Sequence, residues 1–209
     1  MSRVVLASRN AHKIEEMARI LAEAGLHVEV VGIDAFDGVV DVPEVPETEP
    51  TFEGNALLKA RAVCAATGVP AVADDSGLCV DALDGRPGVL SARYGGPGLD
   101  DRGRLLRLLD ELRLVPPARR TAHFTCSLCV CGPDGGVLAA IEERCEGTLL
   151  EAPAGSGGFG YDPIFVPREF TGDPTKTFAV LDAATKDRLS HRGKALRALL
   201  QRLPALLRG

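Results

Sequence analysis

Two adjacent carboxylates, Asp74 and Asp75, stand between the apolar runs at residues 71 to 73 and 78 to 80 and are followed by Ser76 and Gly77. Ionised groups in such a run are costly to bury unless a metal ion or a cationic partner compensates them, so the pair implies a chemical task. An Asx-turn is the other common cause of Asp-Ser-Gly, but it does not account for the apolar residues on both sides. Neighbours on extended backbone point to opposite faces, so one carboxylate would meet a substrate while the other braces the surrounding chain. Glu47, Glu49 and Glu53 lie in and just beyond an acidic loop and could each add an oxygen ligand. Mg²⁺ commonly takes one or two carboxylates and leaves its other positions to water and phosphate, and the spacing does not choose among the three.

Ser8, Arg9, Asn10, Ala11, His12 and Lys13 follow a β-branched run and open a helical pattern. Backbone N–H groups and the helix dipole favour an anion at that point, so the turn suits phosphate; it lacks the glycines and the ending of a Walker loop. Phe159, Gly160, Tyr161 and Asp162 place an aromatic face and an acceptor among glycines, a combination suited to a flat base. Ser190, His191 and Arg192 put cations in the first turn of a helix, where they oppose its dipole, which again points to a function.

These groups must be held by regular elements. Residues 3 to 7 read as a strand, and Ile14, Met17, Ala18, Leu21 and Ala22 as a helix that Gly25 ends; residues 27 to 31 alternate as a second strand, making a right-handed βαβ crossover. Residues 41 to 50 read as an exposed acidic loop, after which Thr51 caps a helix that Gly68 stops. Residues 71 to 80 are expected to form a buried strand broken by a turn at Asp74 to Gly77, and residues 83 to 97 are glycine-rich and irregular. A further helix spans 100 to 112, a long hairpin runs from 119 to 145 with its turn at 133 to 136, and residues 155 to 162 form a loop. Ser190 is expected to cap a last helix with Leu196, Leu199, Leu200 and Leu203 on one face. The order predicts an α/β fold with an elongated mixed sheet, flanking helices in two lobes, and a cleft where the glycine-rich loops converge, all in one domain spanning 1–209.

Composition narrows the partners. A chain of 209 residues, 45% hydrophobic, can close a sizeable core without disulfides, and its six cysteines fall mostly in apolar stretches, as expected of a reduced, cytoplasmic protein. Cys126 and Cys129 have a C-x-x-C spacing but no second pair to complete a zinc site. Neither a signal peptide nor a membrane span is legible. A net charge of −5 and 4% aromatic residues argue against nucleic acid, but a few local cations and a metal ion could still bind a small polyanion.

The ordered blocks Ser8 to Lys13, Thr51 to Ala60, Ala73 to Leu78, Ser91 to Tyr94, Gly158 to Pro163 and Ser190 to Gly193 resemble the inosine triphosphate pyrophosphatase family, the HAM1-like non-canonical purine nucleoside-triphosphate pyrophosphatases. The resemblance runs from Val4 to the final helix. It implies a homodimer that uses Mg²⁺ to hydrolyse ITP, dITP or XTP to the monophosphate and pyrophosphate. By position, Ser8, Arg9, Asn10, Ala11, His12 and Lys13 would hold the triphosphate. Asp75 would be proton acceptor and metal ligand, with Glu47 as the best match for the second ligand. Ser76 would touch substrate, Lys59 and Lys13 would meet charge on the leaving group, and Lys186, His191 and Arg192 would bind the base with Phe159, Gly160, Tyr161 and Asp162. Members of the family often carry glutamate where this chain has Gly54. Alternatives are a Maf-type pyrophosphatase acting on other modified nucleotides and a nucleotide-binding regulator without turnover; the Phe-Gly-Tyr-Asp and Ser-His-Arg blocks speak against the first, and the intact Lys13, Asp74 and Asp75 against the second.

Overall fold

The computed structural model describes residues 2–25, 28–35, 42 and 45–206. Its elements, in chain order, are β1 (Ser2–Leu6), α1 (Ala11–Glu23), β2 (Val28–Gly32), α2 (Phe52–Thr67), β3 (Ala71–Val80), α3 (Asp101–Glu111), β4 (Thr121–Cys131), β5 (Val137–Leu149), β6 (Phe165–Pro167), α4 (Ala183–Leu189) and α5 (His191–Leu206). The strands form one mixed sheet in the order β2-β1-β3-β4-β5-β6, and the chain divides into two compact units. His27, Asp41 and Glu44, and the side chain of Leu203, lie outside the described residues.

The first unit comprises residues 1–75, 126–143 and 192–209. Here β1 pairs in parallel with β2 on one side and β3 on the other, with Leu6 opposite both Gly32 and Val72. The chain thus leaves β1 through α1 to one neighbour and later returns through α2 to the other. In open α/β sheets that reversal leaves a crevice beyond the carboxyl ends of the strands. Two apolar clusters cover the two faces. Leu6 and Val72 pack with Met17, Ile20 and Leu21 of α1 and with Ala195, Leu196 and Leu199 of α5. Val5, Ala71 and Ala73 pack with Ala56, Ala60 and Val63 of α2, whose small side chains let the helix lie close to the sheet. Thr51 caps α2 by accepting from the Gly54 N–H at 3.1 Å, and Gly68, at φ 69°, ends it in the left-handed region where a Cβ is penalised.

The second unit comprises residues 76–125 and 144–191. Its core joins Leu78 and Val80 of β3, Leu105 and Leu108 of α3, Phe124, Phe165 and Phe178. Arg120 is buried there and donates to the carbonyls of Leu112, Val115 and Leu150, so the end of α3 keeps its acceptors satisfied.

Three sequence expectations change. Residues 74–77 do not break the strand: β3 is continuous from Ala71 to Val80. Lysines and an arginine neutralise its carboxylates, and the Ser91 hydroxyl accepts from the Leu78 N–H at 2.9 Å, so the strand loses no hydrogen-bonding partner by staying extended. The hairpin is longer than expected, since β5 continues to Leu149 and pairs antiparallel with the unforeseen β6. Finally, an unforeseen short helix, α4, capped by Asp182 accepting from the Thr185 N–H at 2.8 Å, precedes Ser190, which stands in extended conformation at the cap position of α5 as expected. Cys126 and Cys129 belong to clusters on opposite sheet faces, as a three-residue step along a strand requires, and burial pushes the Cys129 thiol up to about 12.

Candidate active site

In the first unit the register decides what meets what. Asp74 lies two residues beyond Val72, the partner of β1's last residue, so β3 outruns β1 and carries its carboxylates to where the chain turns from β1 into α1. That turn is held from within: the Ser8 hydroxyl accepts from the Asn10 N–H at 3.1 Å, and the Asn10 side chain caps α1 by accepting from the Lys13 N–H at 3.3 Å. Arg9 reaches away from it to Asp34 at 3.0 Å and to the Val42 carbonyl at 2.6 Å, while Ala11 and His12 are exposed on the first helical turn. The Lys13 ammonium comes back over β3 and pairs with Asp74 at 2.8 Å.

Asp74 and Asp75 face opposite sides of the sheet, as alternation requires. Asp74 shares the side of α1 and α5, where Arg192 donates to it at 3.2 and 3.3 Å and also pairs with Glu16. All three groups are buried. Burial by itself would raise the Asp74 carboxyl, but Lys13, Arg192 and Lys59 hold it well below the usual carboxylate range. Asp75 shares the side of α2. Lys59 and Asn55, one helical turn apart, both reach it: the Lys59 ammonium lies 2.8 Å from Asp75 and 3.2 Å from Glu47, and the Asn55 amide donates to Asp75 at 3.4 Å. Burial pushes the Asp75 carboxyl up to about 6; Lys59 works against the rise and Glu47 with it. For Lys59, burial disfavours the charge, yet Asp75, Asp74 and Glu47 outweigh it and raise the ammonium above its ordinary value.

Asn55 went unassigned in the sequence and is fully buried here. Its side-chain oxygen accepts from the Glu49 N–H at 2.9 Å, so its amide nitrogen must face the Glu49 carbonyl at 3.2 Å and Asp75, which ties the loop carrying Glu47 to β3. The available signal was an asparagine in the first turn of a helix whose cap Thr51 already supplies. Glu16, also missed, stands on the apolar stripe of α1 beside Met17 and Ile20, a place where glutamate needs a partner. Of the other acidic candidates, Glu49 and Glu53 are exposed, and the Glu53 backbone carbonyl accepts from the Cys129 thiol at 3.6 Å.

Asp75 and Glu47 share the single positive charge of Lys59, and two carboxylates so placed could hold a divalent cation. Among the described residues no group of three or more His, Cys, Asp or Glu converges.

In the second unit, the loop of residues 155–162 and α4 meet. Lys186 pairs with the buried Asp162 at 2.7 Å and lies 4.9 Å over the Phe159 ring and 5.9 Å over Phe178. The Asp162 carboxylate also accepts from the Phe159 N–H at 2.9 Å. Tyr161 is buried with its hydroxyl donating to the Ser91 carbonyl at 3.0 Å. His191 is buried as well and stacks on Phe124 with centroids 4.8 Å apart. Ser76 is half-buried on β3. The sequence candidates thus fall into two groups: Ser8 to Lys13, Glu47, Asp75 and Arg192 in one unit, and Ser76, Phe159 to Asp162, Lys186 and His191 in the other.

A mixed α/β fold with a strand-order reversal beside two buried carboxylates and their lysines defines the class of α/β protein that takes its ligand beyond the carboxyl ends of the strands. The comparisons make the assignment particular. The family model described as the Ham1 family matches residues 4–202, and the chain belongs to that family. It is 50% identical over 207 residues to the dITP/XTP pyrophosphatase of Streptomyces coelicolor, covering 99% of this chain and 100% of that protein, and 45% identical to the protein of the same name from Geobacter sulfurreducens, covering 97% of each. A solved HAM1 protein from Coxiella burnetii superposes with a TM-score of 0.83 at 36% identity, covering 98% of this chain and 100% of that one. A nucleoside-triphosphatase described as dITP/XTP pyrophosphatase, from Mycobacterium abscessus, matches with a TM-score of 0.73 at 45% identity, covering 95% and 98%.

Proposed function

We propose that the chain hydrolyses non-canonical purine nucleoside triphosphates, ITP, dITP and XTP, to the monophosphate and pyrophosphate, as one pyrophosphatase domain acting with Mg²⁺, as a homodimer in the cytoplasm. The single observation that carries this is Asp75, a buried carboxyl lifted to about 6 and paired with Lys59, which also pairs with Glu47, in a chain half identical over its length to a dITP/XTP pyrophosphatase. Ham1 membership favours this reading over the Maf-type and regulatory ones. No helix among the described residues is long and apolar enough to cross a membrane, and the acidic net charge of −5 opposes binding to nucleic acid.

The chemistry follows from the groups present. Asp75 and Glu47 would hold Mg²⁺, which when bound draws charge from phosphate oxygens. Asp75 accepts a proton from the attacking water; oxygen bonds to the α-phosphorus, the α–β bridging bond breaks, and the electron pair leaves with pyrophosphate. A carboxyl lifted to about 6 is a stronger base than an ordinary one and is still ionised at neutral pH. Lys13 and Lys59, held on β3 by Asp74 and Asp75, meet the charge on the leaving group, and the Ser8 to Lys13 turn receives the phosphates with its backbone N–H groups.

In the second unit, Phe159 offers a face to the purine and Lys186 a donor to its 6-oxo group, with His191 close to the same aromatic cluster. Adenine, carrying an amino group there, would leave the donor unpaired. Arg192, whose guanidinium is taken by Asp74 and Glu16, serves as a brace for Asp74.

The test is pyrophosphate release from ITP, XTP, GTP, ATP and dTTP with Mg²⁺, comparing the parent with Asp75→Asn. Turnover of ITP and XTP far above the others, reduced at least about 10³-fold by the substitution, is the expected result. Equal rates for parent and variant on every substrate would overturn the reading.

A further inference from the structure

The loop of residues 155–162 holds four glycines, of which Gly155, Gly158 and Gly160 have φ of 87°, 69° and 58°. A backbone of this composition has much conformational freedom to lose, so the direction of the Phe159 ring depends on what ties the loop down. Inside the loop, Asp162 accepts from the Phe159 N–H. The next amide, that of Gly160, is claimed from a different element: it donates to the carboxylate of Asp101, in the first turn of α3, at 3.0 Å. Asp101 does not cap that helix, because Asp100 does so by accepting from the Gly103 N–H at 2.7 Å. Its second oxygen pairs with Arg104 at 3.0 Å, which fixes the carboxylate's orientation. With 59% of its side chain exposed, Asp101 supports no core packing.

We propose that Asp101 is a positioning residue for purine binding: by holding the Gly160 amide it fixes the Phe159 ring as a platform for the base. The assignment rests on the reading that Phe159 carries the base. A carboxylate accepting from a backbone N–H is among the stronger protein hydrogen bonds, and here it ties α3 to the residue next to the ring. The effect of losing it falls on binding of the nucleoside end, since the water, Asp75 and the phosphate-binding lysines belong to other segments.

Steady-state kinetics on ITP with Asp101→Ala, Asp101→Asn, Phe159→Ala and the Asp101→Ala/Phe159→Ala double variant test this. Asp101→Ala is expected to raise KM about fivefold with kcat within about twofold, and Asp101→Asn, which keeps an acceptor oxygen, to stay near the parent. In the Phe159→Ala background the Asp101 substitution should add nothing, because the two act through one ring. The positioning role is overturned, with the platform intact, if Phe159→Ala raises KM while Asp101→Ala does not. It is overturned equally if the Asp101 effect persists without the ring or if Asp101→Asn is as impaired as Asp101→Ala. Should Phe159→Ala leave KM unchanged, the platform itself fails and the role of Asp101 falls with it.

Discussion

Consecutive on β3, Asp74 and Asp75 meet different cations on opposite faces of the sheet: Lys13 at 2.8 Å and Arg192 at 3.2 Å for Asp74, Lys59 at 2.8 Å for Asp75. The first is held ionised far below the usual range and the second is lifted to about 6. One residue step therefore separates a carboxyl held ionised from one that can take up a proton near neutral pH.

The two carboxylates should carry opposite pH signatures in stability. Asp74, depressed in the folded protein, contributes stability that is present above its ordinary value of 3.8 and lost as pH falls below it. Asp74→Asn should then cost about 3 kcal/mol at pH 7, because Arg192 and Lys13 lose a buried counter-charge, with the deficit shrinking toward pH 3. Asp75 is raised from 3.8 to about 6, so the folded protein binds a proton that the unfolded chain releases in that window, and stability falls as pH rises through it. Asp75→Asn should remove this fall and leave the protein about 1–2 kcal/mol more stable than the parent at pH 7 in chelator, below the full shift because Lys59 loses its charged partner. Urea unfolding between pH 3 and 8 in chelator measures both; the same sign for the two variants at pH 7 would refute the division.

Lys59→Met removes the cation that opposes the rise of Asp75. The acid limb of kcat/KM on ITP should lie at higher pH than in the parent, and kcat at pH 8 should fall by about 10²-fold as a charge on the leaving group goes unmet. A limb that stays in place, or moves toward acid, would separate Lys59 from the protonation of Asp75.

Gly158→Ala tests the base end. A Cβ at that position would lie 2.1 Å from Asp162 Oδ2, and φ there is 69°, so both the carboxylate and the backbone must give. The Lys186 and Phe159 contacts of Asp162 would be displaced together, and KM for ITP should rise about tenfold with the preference over ATP reduced. An unchanged KM and preference would show that Asp162 does not hold the base-binding groups.

Much of this molecule is decided by short-range rules that a single chain displays. Helical spacing in α1 and α5, the caps at Asn10, Thr51 and Asp100, the stop at Gly68 and the hairpin of β4 and β5 all follow from local periodicity and backbone preference. The six blocks that mark the family are local as well. Where a local rule misled, a distant partner had overridden it: Asp-Asp-Ser-Gly reads as a turn, but Lys13, Lys59, Arg192 and Ser91 satisfy it as strand. Asn55 and Glu16 escaped notice because their value lies wholly in groups far along the chain.

The sequence by itself determined which chemical groups are available and which elements carry them: two carboxylates on a buried strand, a cationic turn before a helix, an aromatic loop among glycines. Only the tertiary structure decided the division of labour. Arg192 is 118 residues from Asp74 and 176 from Glu16, and no local pattern shows that its guanidinium reaches both carboxylates. The β1 and β3 register, with the docking of α1 and α5 on one face and α2 on the other, gives Asp74 Lys13 and Arg192, and gives Asp75 Lys59 and Glu47. Burial penalises both charges, and the cations that reach each face decide which carboxyl stays ionised and which can take up a proton.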